Sequence, residues 1–410
     1  MALVNRIDKS DNIKTWKHFA EAFVEKVKNV SKGCDEIRLV FDRYISQSLK
    51  SRTRKKRTSG NEVRYIVTSD SDISKKPLKQ LLAHIETKQA LTEYLAEFTM
   101  KAMMDTVQIA ITYSQQTISN IQLSDDLMRH DHEEADTLIV LHALNVAKND
   151  PFSDCVVVAS DTDVFLLLIH YYERLPMSTV FRIGTGDKER DIPIMKCYNE
   201  IGPLRAQAIL GFHVLTGCDQ IGRFSGKSKT TCWNEFFNSD SSILSALANL
   251  GIGEDLPDLN TLDQIERFVV NIYGGSSNNV YTLPQLRWFQ FSKCQYDASS
   301  LPPTMSALKY KIFRAHFVCM VLKRSHHPFQ QLPDPLGYGW ELNGTSIDSI
   351  MTDNLPAPIA LIELSMCKCK TGCQSKRCKC LKNNLICTDM CRCTNCKNDG
   401  TNDDEDSDDE

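Results

Sequence analysis

Apolar residues recur at helical spacing at Trp16, Phe19, Phe23 and Val27, predicting a helix from about Trp16 to Val30. The run Ile37-Arg-Leu-Val-Phe41 that follows reads as a strand, and a basic stretch separates it from a long helical pattern over Leu78–Met103. Val107–Tyr113 reads as a second strand. Alternation then continues through a helix at Ala135–Asn149, a fully apolar strand at Cys155–Ala159 and a helix at Val164–Tyr172. A short strand at Thr179–Ile183 and a helix at Leu204–Leu215 complete the series. Helices alternating with short apolar strands predict an α/β fold whose mostly parallel sheet is covered on both faces. From Phe224 to about Leu322 the pattern is mostly helical, interrupted by the polar segment 274–279. Pro333, Pro335, Gly337 and Gly339 break it. No internal repeat is visible. The expected division is a large domain over 1–330, a linker over 331–362, a cysteine module over 363–398 and an acidic disordered tail over 399–410.

No apolar stretch is long enough to span a bilayer, and Met1–Ile7 lacks a signal-peptide pattern, so no membrane is expected. The net charge of −4 hides a split: the twelve residues from Asp399 carry eight carboxylates and no base, which leaves about +4 upstream. That balance suits a polyanionic partner. The tail reads as a solvated end, or as an internal competitor with nucleic acid for basic surface.

The chemistry of the large domain rests on carboxylates. Glu134 and Asp136 open a helix, Asp161 and Asp163 follow a buried strand, Asp219 follows the helix ending in Leu215, and Asp42 terminates the first strand. Functional groups of open parallel sheets gather beyond the carboxyl ends of strands. Carboxylates sharing a site repel unless divalent cations neutralise them, as Mg²⁺ or Mn²⁺ do in two-metal phosphodiester chemistry. Each acid also has a plain alternative as a helix N-terminal residue or cap.

Nine of the chain's sixteen cysteines lie between Cys367 and Cys396: Cys367, Cys369, Cys373, Cys378, Cys380, Cys387, Cys391, Cys393 and Cys396. An odd number without a secretory signal argues against disulfides, and thiolates at C-x-C and C-x2-C spacing suit Zn²⁺. The other seven are scattered, as buried thiols of a reducing compartment are.

Two resemblances follow from these residues. Glu134-Ala-Asp136, Ser160-Asp-Thr-Asp163 and Leu215-Thr-Gly-Cys-Asp219 resemble, in order, the acidic motifs of PIN-like nucleases of the XPG/flap-endonuclease (asteroid-like) group. Val40-Phe-Asp42 resembles that group's V-F-D strand end. The resemblance implies a PIN-like fold followed by a helical region, with Asp42, Glu134, Asp136, Asp161, Asp163 and Asp219 holding Mg²⁺ or Mn²⁺. It also implies an arch that grips single strands, and here the following residues include Arg52, Arg54, Lys55, Lys56 and Arg57. A nuclear-localisation signal or a solvated charge run would read the same way. Gly222–Lys229 resembles the group's DNA-binding turn, with Gly226, Lys227 and Lys229 facing phosphates. The chain departs from the group in having no acidic strand ahead of Trp16.

The cysteine run resembles the tesmin-like CXC domain, in which nine cysteines hold about three zinc ions, some thiolates bridging. Lys368, Lys370, Lys376, Arg377, Lys379, Lys382, Arg392 and Lys397 surround the thiols and suit phosphate contacts. Where two-copy relatives place a tyrosine that enters the minor groove, this chain has Arg377 and a single copy. An arginine reads a narrow minor groove. Together these features lead to the expectation of a nuclear, metal-dependent nuclease acting on DNA ahead of RNA, directed by the zinc module, with chromatin proteins as further partners. The alternatives are a catalytically inactive nucleic-acid-binding protein with a decayed nuclease fold, of mobile-element origin or not, and a transposase-type DDE enzyme.

Overall fold

The computed structural model describes residues 3–7, 12–45, 48–49, 63–275, 279–292, 300–344, 346–352, 367–383, 385–387 and 391–399. They divide into two compact units, Met1–Met351 and Thr352–Glu410. Arg52, Arg54, Lys55, Lys56 and Arg57 lie outside the described residues, as does nearly all of the acidic tail.

The first unit begins with α1 (Trp16–Val30), whose Thr15 cap accepts from His18 N and whose Trp16, Phe19, Phe23 and Val27 are buried. β1 (Glu36–Val40) pairs in parallel with β2 (Gln108–Tyr113), matching Ile37 with Ile109 and Leu39 with Ile111. Between them the expected long helix is broken into α2 (Leu78–Leu81) and α3 (Ile85–Met103), because His84 takes the N-cap position and its Nδ1 accepts from Glu86 N. The two strands, α1 and α3 enclose one apolar core.

β2 turns back through Ser114 and Gln115 into the antiparallel β3 (Gln116–Ser119). After α4 (Asp125–Met128) and α5 (Ala135–Asn149), β4 (Val156–Val158) leads to α6 (Thr162–Tyr171) and the parallel strand β5 (Val180–Ile183). β6 (Arg190–Pro193) then folds back antiparallel on β5. Two three-stranded sheets, each a parallel pair with an antiparallel edge, thus replace the single sheet expected. The two edge strands are short and mixed in polarity, so periodicity does not announce them.

α7 (Ile194–Ile201) and α8 (Pro203–Leu215) open the helical part, which continues with α9 (Lys229–Asn238), α10 (Ser241–Asn249), α11 (Leu259–Ile272), α12 (Leu283–Ser292) and α13 (Met305–Lys323). α8 is buried on every side from Ala208 to Leu215, as a central helix must be. A Cβ on Gly211 would meet the Leu247 carbonyl oxygen at 2.1 Å, so glycine is what lets α8 and α10 approach.

The unit does not end near residue 330. Tyr338 and Trp340 join the main core, and β7 (Trp340–Asn343) pairs with β8 (Ser346–Ser349). Buried Arg314 ties this hairpin down by donating to Gly339 O at 2.9 Å and Ile350 O at 2.5 Å. Prolines and glycines at 333–339 therefore shape a packed turn, where a linker was expected.

Buried histidines stitch the unit together. His142 Nε2 lies 2.7 Å from Thr112 Oγ1, and Arg38 Nη1 donates to His142 O. Burial holds His142 near pKa 3, with the Arg38 charge adding to the effect. Burial likewise holds His130 at about 4, ahead of the charges of His132 and Arg43. Both sit below the ordinary 6.5, so unfolding takes up protons as pH falls below about 6.5. Acidification from pH 7 to 5 should therefore destabilise the unit by up to about 2 kcal/mol per histidine. An unfolding midpoint that is unchanged or higher at pH 5 would contradict this.

The second unit is built on its thiols. Among its described residues Cys367, Cys373, Cys378, Cys380 and Cys387 are buried, with Leu381 and Leu385 against them. Among its described residues the regular structure is β9 (Thr371–Gly372), α14 (Lys379–Lys382) and β10 (Thr394–Cys396), with β9 and β10 parallel.

Candidate metal centres

Asp42 follows β1, Glu134 and Asp136 begin α5, and Asp161 and Asp163 link β4 to α6. The packing brings these five acids together from both sheets. Carboxylate oxygens of Asp136, Asp161 and Asp163 all lie within 4.8 Å of one another. Asp42 Oδ1 accepts from Ala135 N at 3.0 Å, which docks the end of β1 against the start of α5. Asp161 Oδ1 accepts from Asp163 N at 3.0 Å and caps α6. Both helix N-termini contribute partial positive charge to the site.

The loop before α5 is held from several sides. His132 contacts Thr137 Oγ1 at 2.8 Å and His327 O at 2.7 Å, and Asp131 accepts from Gln330 N. Arg43 N donates to Glu133 O, and Ser48 Oγ to Glu133 Oε1. Glu134 and Asp136 thus start from a fixed backbone.

Asp136 carries the electrostatic signature. Its carboxyl is held well above the usual carboxylate range by burial, followed by the charges of Glu134, Asp161, Asp42 and Asp163. Carboxylates crowded in this way could hold a divalent cation. The oxygen-only trio is the donor set that Mg²⁺ or Mn²⁺ takes. A polar cavity of about 340 Å³ borders Asp42, lined also by Arg43, Tyr44, Gln89, Thr92 and Gln115.

Asp219 stands half-buried four residues beyond α8, outside the trio. The residue from α8 that does reach the acids is His213, whose Nε2 is 2.9 Å from Asp163 Oδ1. Sequence reasoning passed over it. Its signal is a histidine inside the otherwise apolar run Ala208–Leu215, directly before the Thr-Gly turn.

The turn from Gly222 to Lys229 differs from the expected phosphate-facing arrangement. Gly226 is exposed at φ +66°, and Lys227 is half-buried, its ammonium 4.7 Å from the Tyr273 ring centre. Lys229, however, points inward: its ammonium donates to His213 O at 2.6 Å and Gly217 O at 2.9 Å. Burial lowers its pKa to about 8. Lys229 caps the carboxyl end of α8 rather than presenting its charge to solvent.

In the second unit the nine thiols form four overlapping sets of four, each within 4.8 Å, and Cys367 and Cys387 each belong to three of them. Cys367–Cys373 and Cys378–Cys387 sulfurs are 3.8 Å apart, and Cys380–Cys391 sulfurs 3.7 Å. Sulfurs at about 2.3 Å from a tetrahedral zinc are separated by about 3.8 Å, so the cluster is compatible with zinc and its overlaps with bridging thiolates. Arg377 and the seven other bases of the run are exposed around it.

Comparison with known proteins reaches only a short segment. Thirty-three residues, 8% of this chain, are 58% identical to the protein tesmin/TSO1-like CXC 8 of Arabidopsis thaliana and span 9% of that protein. No family profile matches the chain, and no solved structure does. No helix among the described residues is long and apolar enough to cross a membrane.

Proposed function

We propose that the protein is a nuclear, divalent-metal-dependent nuclease that a zinc-loaded CXC module directs to nucleic acid, DNA ahead of RNA. One observation carries the catalytic half: four carboxylates, of Asp42, Glu134, Asp161 and Asp163, crowd the half-buried Asp136 at the ends of β1 and β4 and the starts of α5 and α6. Bound there, Mg²⁺ or Mn²⁺ would supply an activated water and offset charge on the leaving oxygen. The acids would hold the ions, with α5 and α6 setting their spacing, and a polar cavity opens beside Asp42. Glu134, whose charge bears on Asp136, completes the proposed ligand set. In the second unit, exposed bases around a thiol core suit the phosphate backbone, and Arg377 suits a narrow minor groove. Chromatin proteins are further proposed partners.

A second reading, a non-catalytic nucleic-acid-binding protein, draws on the capping bonds, since Asp42 and Asp161 each accept a backbone N–H at a helix start. The two separate in a cleavage assay with Mg²⁺ or Mn²⁺ on single-stranded, flapped and duplex DNA and RNA. Divalent-dependent cleavage should fall at least about a hundredfold in Asp161→Asn/Asp163→Asn. Cleavage surviving that double substitution sinks the proposed site, and no cleavage on any substrate leaves the second reading.

A further inference from the structure

His213 is the polar side chain near the carboxylates that their own arrangement does not explain. It is 8% exposed, and neither ring nitrogen has a hydrogen-bond partner. Its Nε2 nevertheless lies 2.9 Å from Asp163 Oδ1, so the approach is close without being aligned as an N–H···O bond. Leaving a buried polar group unsatisfied costs about 1–3 kcal/mol, which is offset where a ligand supplies the missing bond. The ring is not there by looseness of the chain. Lys229 clamps the His213 and Gly217 carbonyls, and Thr216 Oγ1 donates to Phe212 O at 2.7 Å. That clamp sets the end of α8, the ring and the turn leading to Asp219 as one piece.

The nitrogen and oxygen at 2.9 Å match neighbouring ligands of an octahedral ion, for which bonds of about 2.1 Å give edges of about 3 Å. His213 falls outside the trio of Asp136, Asp161 and Asp163, so an ion held by His213 would lie beside the trio and share Asp163 with it. Paired ions about 4 Å apart use such a shared carboxylate. Imidazole nitrogen suits first-row transition ions, whereas Mg²⁺ keeps to oxygen and sheds water reluctantly.

We propose that His213 Nε2, together with Asp163, ligates the second divalent ion of the carboxylate site, and that this nitrogen makes the centre select Mn²⁺ over Mg²⁺. The proposal rests on the metal-dependent reading above and adds a ligand and a selectivity to it. The full-length, zinc-loaded protein is titrated with Mn²⁺ and, separately, with Mg²⁺, and the Mn²⁺ form is examined by pulsed electron paramagnetic resonance. A directly bound ¹⁴N coupling is expected, and it should change to the ¹⁵N pattern when histidine is isotopically labelled. His213→Gln should remove the coupling and weaken Mn²⁺ binding about tenfold or more, while Mg²⁺ binding changes less than about threefold. Mn²⁺ bound to the wild-type protein without nitrogen coupling overturns the proposal, as does an equal loss for both ions in His213→Gln. Mn²⁺ binding that is absent, or unchanged in Asp161→Asn/Asp163→Asn, overturns the carboxylate site itself and His213's role with it.

Discussion

Withdrawing zinc from the full-length protein, or replacing Cys378 with serine, should unfold the cysteine module while the large unit keeps its own melting transition. Among the described residues of the module the buried ones are all cysteines, and besides further cysteines Leu381 and Leu385 pack against them. So little apolar surface cannot offset the entropy of ordering the segment. Zinc binding worth about 10–16 kcal/mol for a structural site is then the folding energy of the module. Cys378 belongs to two of the four thiol sets, so its loss disrupts more than one site. Its thiol is held low, at about 6: burial opposes this, but the Leu381 and Cys380 N–H groups and neighbouring thiols outweigh it. Metal analysis of the wild-type chain should return about three zinc ions, falling in Cys378→Ser. Limited proteolysis should cut the variant between Cys367 and Cys396 and spare the large unit. One zinc or none in the wild-type chain rejects the cluster, and a module that resists protease after chelation rejects the coupling of metal to folding.

The parts of this architecture that could be read in the sequence are those set by local periodicity. α1 is written in Trp16, Phe19, Phe23 and Val27, and the two parallel strand pairs in their short, mostly apolar runs. The nearness of Asp136, Asp161 and Asp163 could be read because each stands at a strand end or helix start, whereas Asp219, beyond the end of α8, lies outside that trio. What escaped depends on contacts distant in sequence. Tyr338 and Trp340 look like residues of a Pro/Gly-rich connector until Arg314 binds the carbonyls around their hairpin. Lys229 looks like a phosphate contact until its ammonium is seen on α8. The two antiparallel edge strands owe their pairing to neighbours more than to their own residues.

Asp136→Asn should change stability and metal binding in opposite directions. In the unfolded chain its carboxyl ionises near 3.8, whereas in the folded protein burial and four neighbouring acids hold the proton to higher pH. Between those two values the folded state binds more protons than the unfolded state, so stability declines as pH rises through the interval. At neutral pH, with no divalent ion added, keeping this carboxyl in the fold is therefore a net cost. An amide of the same shape carries no acid to be held this way, and the variant should gain about 1–2 kcal/mol. The wild-type protein should recover stability on adding Mg²⁺ or Mn²⁺, by about 2.7 kcal/mol at a hundredfold excess over the dissociation constant. Asp136→Asn should lose most of that gain along with any divalent-dependent cleavage. A residue whose role is to anchor α5 would behave otherwise: its substitution would lower the melting temperature in both conditions. Thermal melts of the two proteins, with and without added divalent ion, decide between these outcomes, and a less stable Asp136→Asn in the absence of divalent ions defeats the metal reading of this carboxylate.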